Sequence, residues 1–370
     1  LALGAVTVYA ISPGITQANG LPETFYSYKQ LTAIGLGVIA FLIASMMDLK
    51  TWRKLETPLL IFAVLVAFAV RFFGDPINGA YRWLDVGGIS FQAAELIKFT
   101  LVVWLAGFLT RRKIENTINH PDTLKMLGVI SVIILVVVAG FQSDLGSAAV
   151  MLAIVGFMAF VSGLQMRKLL LFGGVGLVLI SAAIALSPYR RDRVATFLNP
   201  TADCQNEGYQ ACQALITVGS GGVLGKGLGR SVQAYGYLPE AANDSIFAII
   251  AEKYGFLGTT VMIGLFVGLF RRIKQVAEQA PNDYARLLVS GILAWISIQM
   301  MINVGAMIGI IPLKGITLPF VSYGGTSIIF VMAAIGIVFH VSRFTVIGEA
   351  AEARKYGAAN RRQEIGRAHV

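Results

Sequence analysis

The sequence predicts an all-α, polytopic membrane protein of about ten transmembrane helices, and three observations carry that prediction. Of its 370 residues, 56% are hydrophobic and only 14% are charged, against roughly 25% charged in a soluble domain. Apolar runs close to twenty residues long recur along the whole chain. Lys and Arg collect in alternate connections between those runs, as they do in a chain threaded back and forth through a bilayer.

Length justifies each element. A helix needs about 20 apolar residues to cross the hydrocarbon, at about 1.5 Å per residue. Runs of that order fall at 30–48, 54–73, 91–110, 124–140, 147–164, 168–187, 245–270, 286–306 and 325–345. The opening run, 1–15, is too short to span, and we expect it to be the outer part of a first helix that begins before Leu1. Residues 1–345 read as one transmembrane domain and 346–363 as a cytoplasmic tail. The segment EIGRAHV, 364–370, matches a common sequencing-adaptor sequence read in frame and is set aside.

Orientation follows from the basic residues. With the start of the chain on the cytoplasmic side, the cytoplasmic connections hold Lys50, Arg53 and Lys54; Arg111, Arg112, Lys113 and Lys125; Arg167 and Lys168; Arg271, Arg272, Lys274 and Arg286; and every basic residue from Arg343 onward. An even number of spans returns the C-terminus to the same side, so both termini are expected to be cytoplasmic. The net charge of +10 is therefore mostly a topology signal, and a nucleic-acid partner is not expected.

The outer connections are chemically richer. The longest, about 188–243, joins the seventh and eighth runs and contains YRRDR, two cysteines and VGSGGVLGKGLG. Loops beyond about 15 residues are usually functional or disordered, and the glycines and aromatics of this one predict that it folds back over the outer face. It is not a nucleotide-phosphate loop. Ser220 stands where the first glycine belongs, and Gly227 where a Ser or Thr would bind magnesium. Cys204 and Cys212 are the only cysteines; on the outer side they can form a small staple or remain two thiols.

Charge inside a membrane costs about 2.5–3.5 kcal/mol per residue and so marks pairing or function. In NGAYRWLDVGGISFQAAELIK, 78–98, Arg82 and Trp83 stand in a short outer loop, while Glu95 and Lys98 share one helical face. A salt bridge that eases insertion is the simplest role for that pair. In FQSDLGSA, 141–148, Asp144 lies in a tight outer turn, where capping the next helix is the simplest role. In AANDSIFAIIAEKYGFLG, 241–258, Asn243 or Asp244 can cap the eighth helix. Glu252 and Lys253 lie deeper and need partners on other helices, with Lys98 a candidate for Glu252. In GIIPLKGITLPFVSYGGTS, 309–327, prolines and glycines flank Lys314, Ser322 and Tyr323, and Gly324 and Gly325 permit close approach of a backbone or a ligand. All these clusters fall at the outer level. Chemistry on a lipid-borne substrate needs polar groups at one leaflet, whereas transport needs them through the midplane.

In order along the chain, NGAYRW…FQAAELIK, QSDLGSA, YGYLPEAANDSIFAIIAEKYG and PLKGITLPFVSYGGTS resemble the SEDS proteins (shape, elongation, division and sporulation), which are membrane-embedded peptidoglycan glycosyltransferases. KGITLP and IFAIIAE are closer to the division branch, FtsW, than to the rod-elongation branch, RodA. The resemblance implies polymerisation of lipid II into glycan strands at the outer face of the bacterial cytoplasmic membrane, at the division septum. A class B penicillin-binding protein would supply transpeptidation beside other divisome membrane proteins. Asp244 matches the family's essential aspartate. Arg82, Trp83, Gln92, Glu95, Lys98, Gln142, Asp144, Glu240, Lys314, Ser322, Tyr323, Gly324 and Gly325 fall in the motifs expected around its substrate cavity. Two departures stand out: Ala242-Asn243-Asp244-Ser245 replaces a common His-Thr-Asp-Phe, and Ser143 replaces a common proline.

The chemistry agrees with that inventory. A sugar hydroxyl must lose its proton as it attacks an anomeric carbon, and the leaving group is a lipid diphosphate. A diphosphate departs as a stable anion, so the second carboxyl that glycoside hydrolysis uses as an acid is not needed. One carboxylate base with cations suffices: Asp244 as general base, and Arg82, Lys98, Lys314 or a divalent ion (magnesium or manganese) against the diphosphate. No organic cofactor is expected. The rival readings are a lipid II flippase, which Glu252 and Lys253 keep alive, an elongation-type polymerase, and a scaffold without chemistry.

Overall fold

The computed structural model describes residues 1–17, 20–74, 76–77, 80–86, 89–199, 204–206, 208–313 and 315–345. The expectations at Lys314, at the tail 346–363 and at 364–370 lie outside the described residues. Twelve helices are seen among these residues: α1 (Ala2–Gln17), α2 (Phe25–Met46), α3 (Leu49–Phe73), α4 (Ala93–Ile114), α5 (Pro121–Ile134), α6 (Leu145–Ser162), α7 (Met166–Ala185), α8 (Pro188–Leu198), α9 (Tyr209–Ser220), α10 (Ile246–Glu278), α11 (Asp283–Met307) and α12 (Gly325–Ser342). A π-helical segment, Leu135–Phe141, extends α5.

Each of the ten apolar runs forms a helix. Eight are long and apolar enough to cross a membrane: α2, α3, α4, α5 with its π-helical extension, α6, α10, α11 and α12. α1, with 16 residues, and α7 are not among those eight. α4 lies at the centre, buried from Ala93 through Thr110, and packs against α3, α6, α11 and α12. Outer helices turn large apolar side chains outward, as Phe72, Phe73, Leu170 and Leu177 do. A bundle apolar on its outside as well as its inside suits lipid, which solvates apolar side chains and gives them no reason to turn inward.

Three regions depart from the expected pattern. The connection before α4 holds two short antiparallel hairpins, β1 (Pro76–Ile77) with β2 (Ala80–Tyr81), and β3 (Trp83–Val86) with β4 (Ile89–Gln92). Trp83 pairs with Gln92 across the second, which puts both side chains on one face. The long connection before α10 contains α8 and α9, and Cys204 is joined to Cys212 in a disulfide with Cα atoms 5.5 Å apart.

α10 is broken where the sequence promised a continuous helix. Gly255 has φ 66° and ψ −166°, a conformation open only to glycine. The break frees backbone groups on both sides, and the glycine-rich segment after α9 satisfies them. Lys226 N and Gly227 N donate to Glu252 O and Lys253 O at 2.8 and 2.9 Å. Phe256 N and Leu257 N donate to Gly222 O and Val223 O at 2.9 and 3.1 Å. Glycines are needed because the two backbones touch: a Cβ on Gly225 would lie 2.3 Å from Lys253 O.

Candidate active site

One end of the bundle encloses a cavity of about 770 Å³. Its walls come from α2 and α12, the second hairpin, the start of α9, the stretch before α10 and the loop before α12. Asp244 lines it at 9% exposure, directly ahead of α10. Arg82 reaches in from the hairpin side and donates through Nη2 to Ser143 O at 2.8 Å. Gly315 marks where the two meet. A Cβ there would lie 3.6 Å from Asp244 Oδ2 and 3.8 Å from Arg82 Nη1, and φ is 62°. A carboxylate and a guanidinium therefore flank a single residue without a side chain.

Hydrogen bonds fix the loop carrying Gly315 to the stretch carrying Asp244. Ser322 Oγ donates to Asn243 O at 2.6 Å and accepts from Leu318 N at 2.7 Å. Tyr323 N donates to Ala242 O at 2.8 Å. From α11, Asn303 Nδ2 donates to both Asp244 O and Ile316 O at 2.7 Å. Ser143, Glu240 and Phe320 hold positive φ of 54°, 53° and 65°, which costs on the order of 1–3 kcal/mol each. Ser143 carries the carbonyl that takes Arg82, Glu240 lines the cavity, and Phe320 lies in the loop before α12.

Behind the wall runs a buried polar chain. Glu95 Oε1 accepts from Lys98 Nζ at 2.7 Å, both residues being 2% exposed or less. Lys98 Nζ donates on to Gln299 Oε1 at 2.8 Å, which also accepts from Trp295 Nε1 at 2.8 Å. Gln299 Nε2 donates to Thr317 O and Oγ1 at 3.1 Å each, and Thr317 lines the cavity.

A match over residues 1–347 ties the chain to the family described as cell cycle protein, FtsW/RodA/SpoVE. The chain belongs to the FtsW/RodA/SpoVE family. Stage V sporulation protein E of Bacillus subtilis is 36% identical over 347 residues, covering 93% of this chain and 94% of that protein. A probable peptidoglycan glycosyltransferase FtsW of Saccharophagus degradans is 35% identical, covering 92% and 89%. Among solved structures, the rod shape determining protein RodA of Thermus thermophilus superposes with a TM-score of 0.66 at 27% identity, covering 93% and 96%. A chain from a study of polymerization and crosslinking by a peptidoglycan synthase complex superposes with a TM-score of 0.75 at 28% identity, covering 94% and 98%.

In this FtsW/RodA/SpoVE chain, the residues singled out from sequence divide into two groups. Arg82, Trp83, Gln92, Glu240, Asp244, Tyr323, Gly324 and Gly325 line the cavity. Glu95, Lys98, Gln142, Asp144 and Ser322 are at the same end but are not lining residues. Asp144 caps α6, accepting from Ser147 N at 2.9 Å and Ser147 Oγ at 2.7 Å. Gln142 is fully buried. Lys98 is not the partner of Glu252. Glu252 lies on α10 against the glycine-rich segment, where it accepts from Lys226 Nζ at 3.1 Å, Val232 N at 3.3 Å and Ser231 Oγ, and Lys253 donates to Leu228 O at 2.6 Å. Lys98 is taken by Glu95, three residues away on its own helix, where contact costs least entropy.

Sequence reasoning missed Gln210, Asn243, Lys29 and Thr317 in the lining, and Gln299 and Asn303 behind it. The last two left a signal: two carboxamides four residues apart inside the apolar run 286–306. Among the described residues, no group of three or more His, Cys, Asp or Glu side chains is arranged to hold a metal. Asp244 and Glu240 both line the cavity, and magnesium is commonly held by one or two carboxylates together with substrate phosphates. The donor set thus fits an ion shared with a diphosphate.

Proposed function

We propose that this membrane protein is a peptidoglycan glycosyltransferase that polymerises lipid II into glycan strands at the outer face of the cytoplasmic membrane, serving septal wall synthesis. The observation that carries the reading is the placement of Asp244 and Arg82 in one cavity, both within 4 Å of where a Gly315 Cβ would lie. The names of the FtsW relatives support the reaction and the septal role.

Asp244 accepts the proton of the attacking sugar hydroxyl as that oxygen bonds to the anomeric carbon and the bond to the lipid diphosphate breaks with inversion. A positioned general base contributes about 10²–10⁴-fold. Arg82 faces the same space and offsets the charge left on the diphosphate; Lys314 has the sequence position to assist. Glu240 and Asp244 would hold a divalent ion, which would supply further charge neutralisation for the diphosphate. The apolar flank of the cavity runs along α2, where Tyr28 and Leu36 line it and are also exposed on the bundle surface. That apolar flank suits a lipid tail while its headgroup reacts.

A class B penicillin-binding protein is the proposed partner; a likeness to a chain studied in polymerization and crosslinking by a peptidoglycan synthase complex supports it. Pure transport draws less support, because Glu252 and Lys253, the deep charges it would use, bind the glycine-rich segment and are not lining residues. The test is purified protein in detergent with lipid II, with and without a class B partner, wild type beside Asp244→Asn. Glycan chains from wild type and their loss in Asp244→Asn are expected. Absence of chains from wild type in both settings would overturn polymerisation, and full activity of a folded Asp244→Asn would overturn the base assignment.

A further inference from the structure

We propose that Gln299 and Asn303 are positioning residues for glycosyl transfer: from adjacent turns of α11 their carboxamides set how far the Asp244 backbone stands from the Gly315 loop. The proposal rests on the reading of Asp244 as the base. The two residues are four apart and therefore share one helical face, at 0% and 2% exposure. They donate to consecutive loop carbonyls, Asn303 to Ile316 O and Gln299 to Thr317 O. Asn303 uses its amide nitrogen a second time on Asp244 O. One rigid helix thereby grips the loop at two successive peptides and the base-bearing turn before α10 at a third.

The orientation of Gln299 is dictated by its neighbours. The Lys98 ammonium and the Trp295 indole can only donate, so Oε1 must face them and Nε2 must face Thr317. All four of its hydrogen-bonding positions are then used. The same chain passes the position of Lys98 to the loop, which explains why a buried Glu95–Lys98 pair outside the lining bears on the cavity. Asn303 is fixed likewise, since two carbonyl oxygens demand its nitrogen. A carboxylate of the same shape at either position would turn oxygen toward carbonyl oxygen and push the loop away.

The experiment compares Gln299→Glu, Asn303→Asp and Asn303→Ser with wild type and Asp244→Asn, each purified in detergent and assayed on lipid II, with thermal unfolding measured in parallel. For the folded variants, kcat should fall about tenfold to a hundredfold while KM stays within about threefold, as expected when geometry and not substrate affinity is lost. Loss of stability alone would lower the folded fraction and leave kcat per folded molecule unchanged. If Asn303→Asp does not fold, Asn303→Ser and Gln299→Glu decide through the split between kcat and KM. Wild-type kcat in the folded variants, with Asp244→Asn inactive, would overturn the positioning role and leave the base intact. Full activity of Asp244→Asn would instead overturn the base, and the proposal with it.

Discussion

The two ends of the bundle use polar and charged side chains in opposite ways. At the end away from the cavity, Glu56 of α3 pairs with Arg111 of α4, Lys113 of α4 meets Asp283 of α11 at 2.5 Å, and Arg286 of α11 donates to Val161 O of α6 at 3.4 Å. His340 of α12 contacts Ser45 O of α2 at 3.0 Å. These contacts tie helix ends directly to one another. At the cavity end, Glu95 and Lys98 hold Gln299, and Gln299 and Asn303 bind the loop before α12 and the stretch before α10, where Asp244 and Arg82 both come near Gly315. Ion pairing between helices therefore does not by itself mark a candidate site. A polar network that reaches the wall of a cavity, beside residues held at positive φ, is what distinguishes the candidate site here.

Substitutions can break or sharpen that contrast. The largest effect is expected from Asp244→Asn, with polymerisation reduced about 10²–10⁴-fold and thermal stability near wild type, read by lipid II turnover and unfolding in the same preparation. Next comes Glu95→Gln, which leaves the buried Lys98 without its counter-charge. A loss of about 3 kcal/mol is expected, at the lower edge for a broken buried pair, because Gln299 still accepts from Lys98; denaturation in mixed micelles would measure it, with turnover falling further than stability. Gly315→Ala places a methyl against both the Asp244 carboxylate and the Arg82 guanidinium at a positive φ. About 1 kcal/mol of stability should be lost together with most of the turnover, checked by kcat on folded protein. The smallest effect belongs to the opposite end. Glu56→Gln should cost on the order of 1 kcal/mol, discounted because the Arg111 side chain is 40% exposed, and turnover per folded molecule should stay unchanged. A Glu56 variant that lost turnover while remaining folded would erase the distinction between the two ends.

The helices were legible because lipid imposes a length, and all ten apolar runs became helices. Asp244 and Arg82 were legible because polar residues at helix mouths in an apolar chain need a reason. The hairpins were not foreseen, although Asn-Gly at 78–79 and Gly-Gly at 87–88 are strong hairpin dipeptides; the reading weighed hydropathy and passed over turn chemistry. The partner of Glu252 was misread because charge matching between helices ignores loops. Lys226 arrives on a segment whose glycines were read as turns alone, and nothing in hydropathy reports that such a segment will fill a gap in a helix. Asn303 and Gln299 were visible as polar residues in a greasy run, but their targets are backbone carbonyls, and a carbonyl carries no letter in a sequence.

The gap at Gly255 bears on how the chain is made. Its filler, 222–227, precedes the residues it completes, so the amides of Lys226 and Gly227 leave the ribosome before the carbonyls of Glu252 and Lys253 that they will satisfy. A nascent helix with an open seam would be poorly tolerated in hydrocarbon. Here the segment that closes the break is synthesised before the break itself.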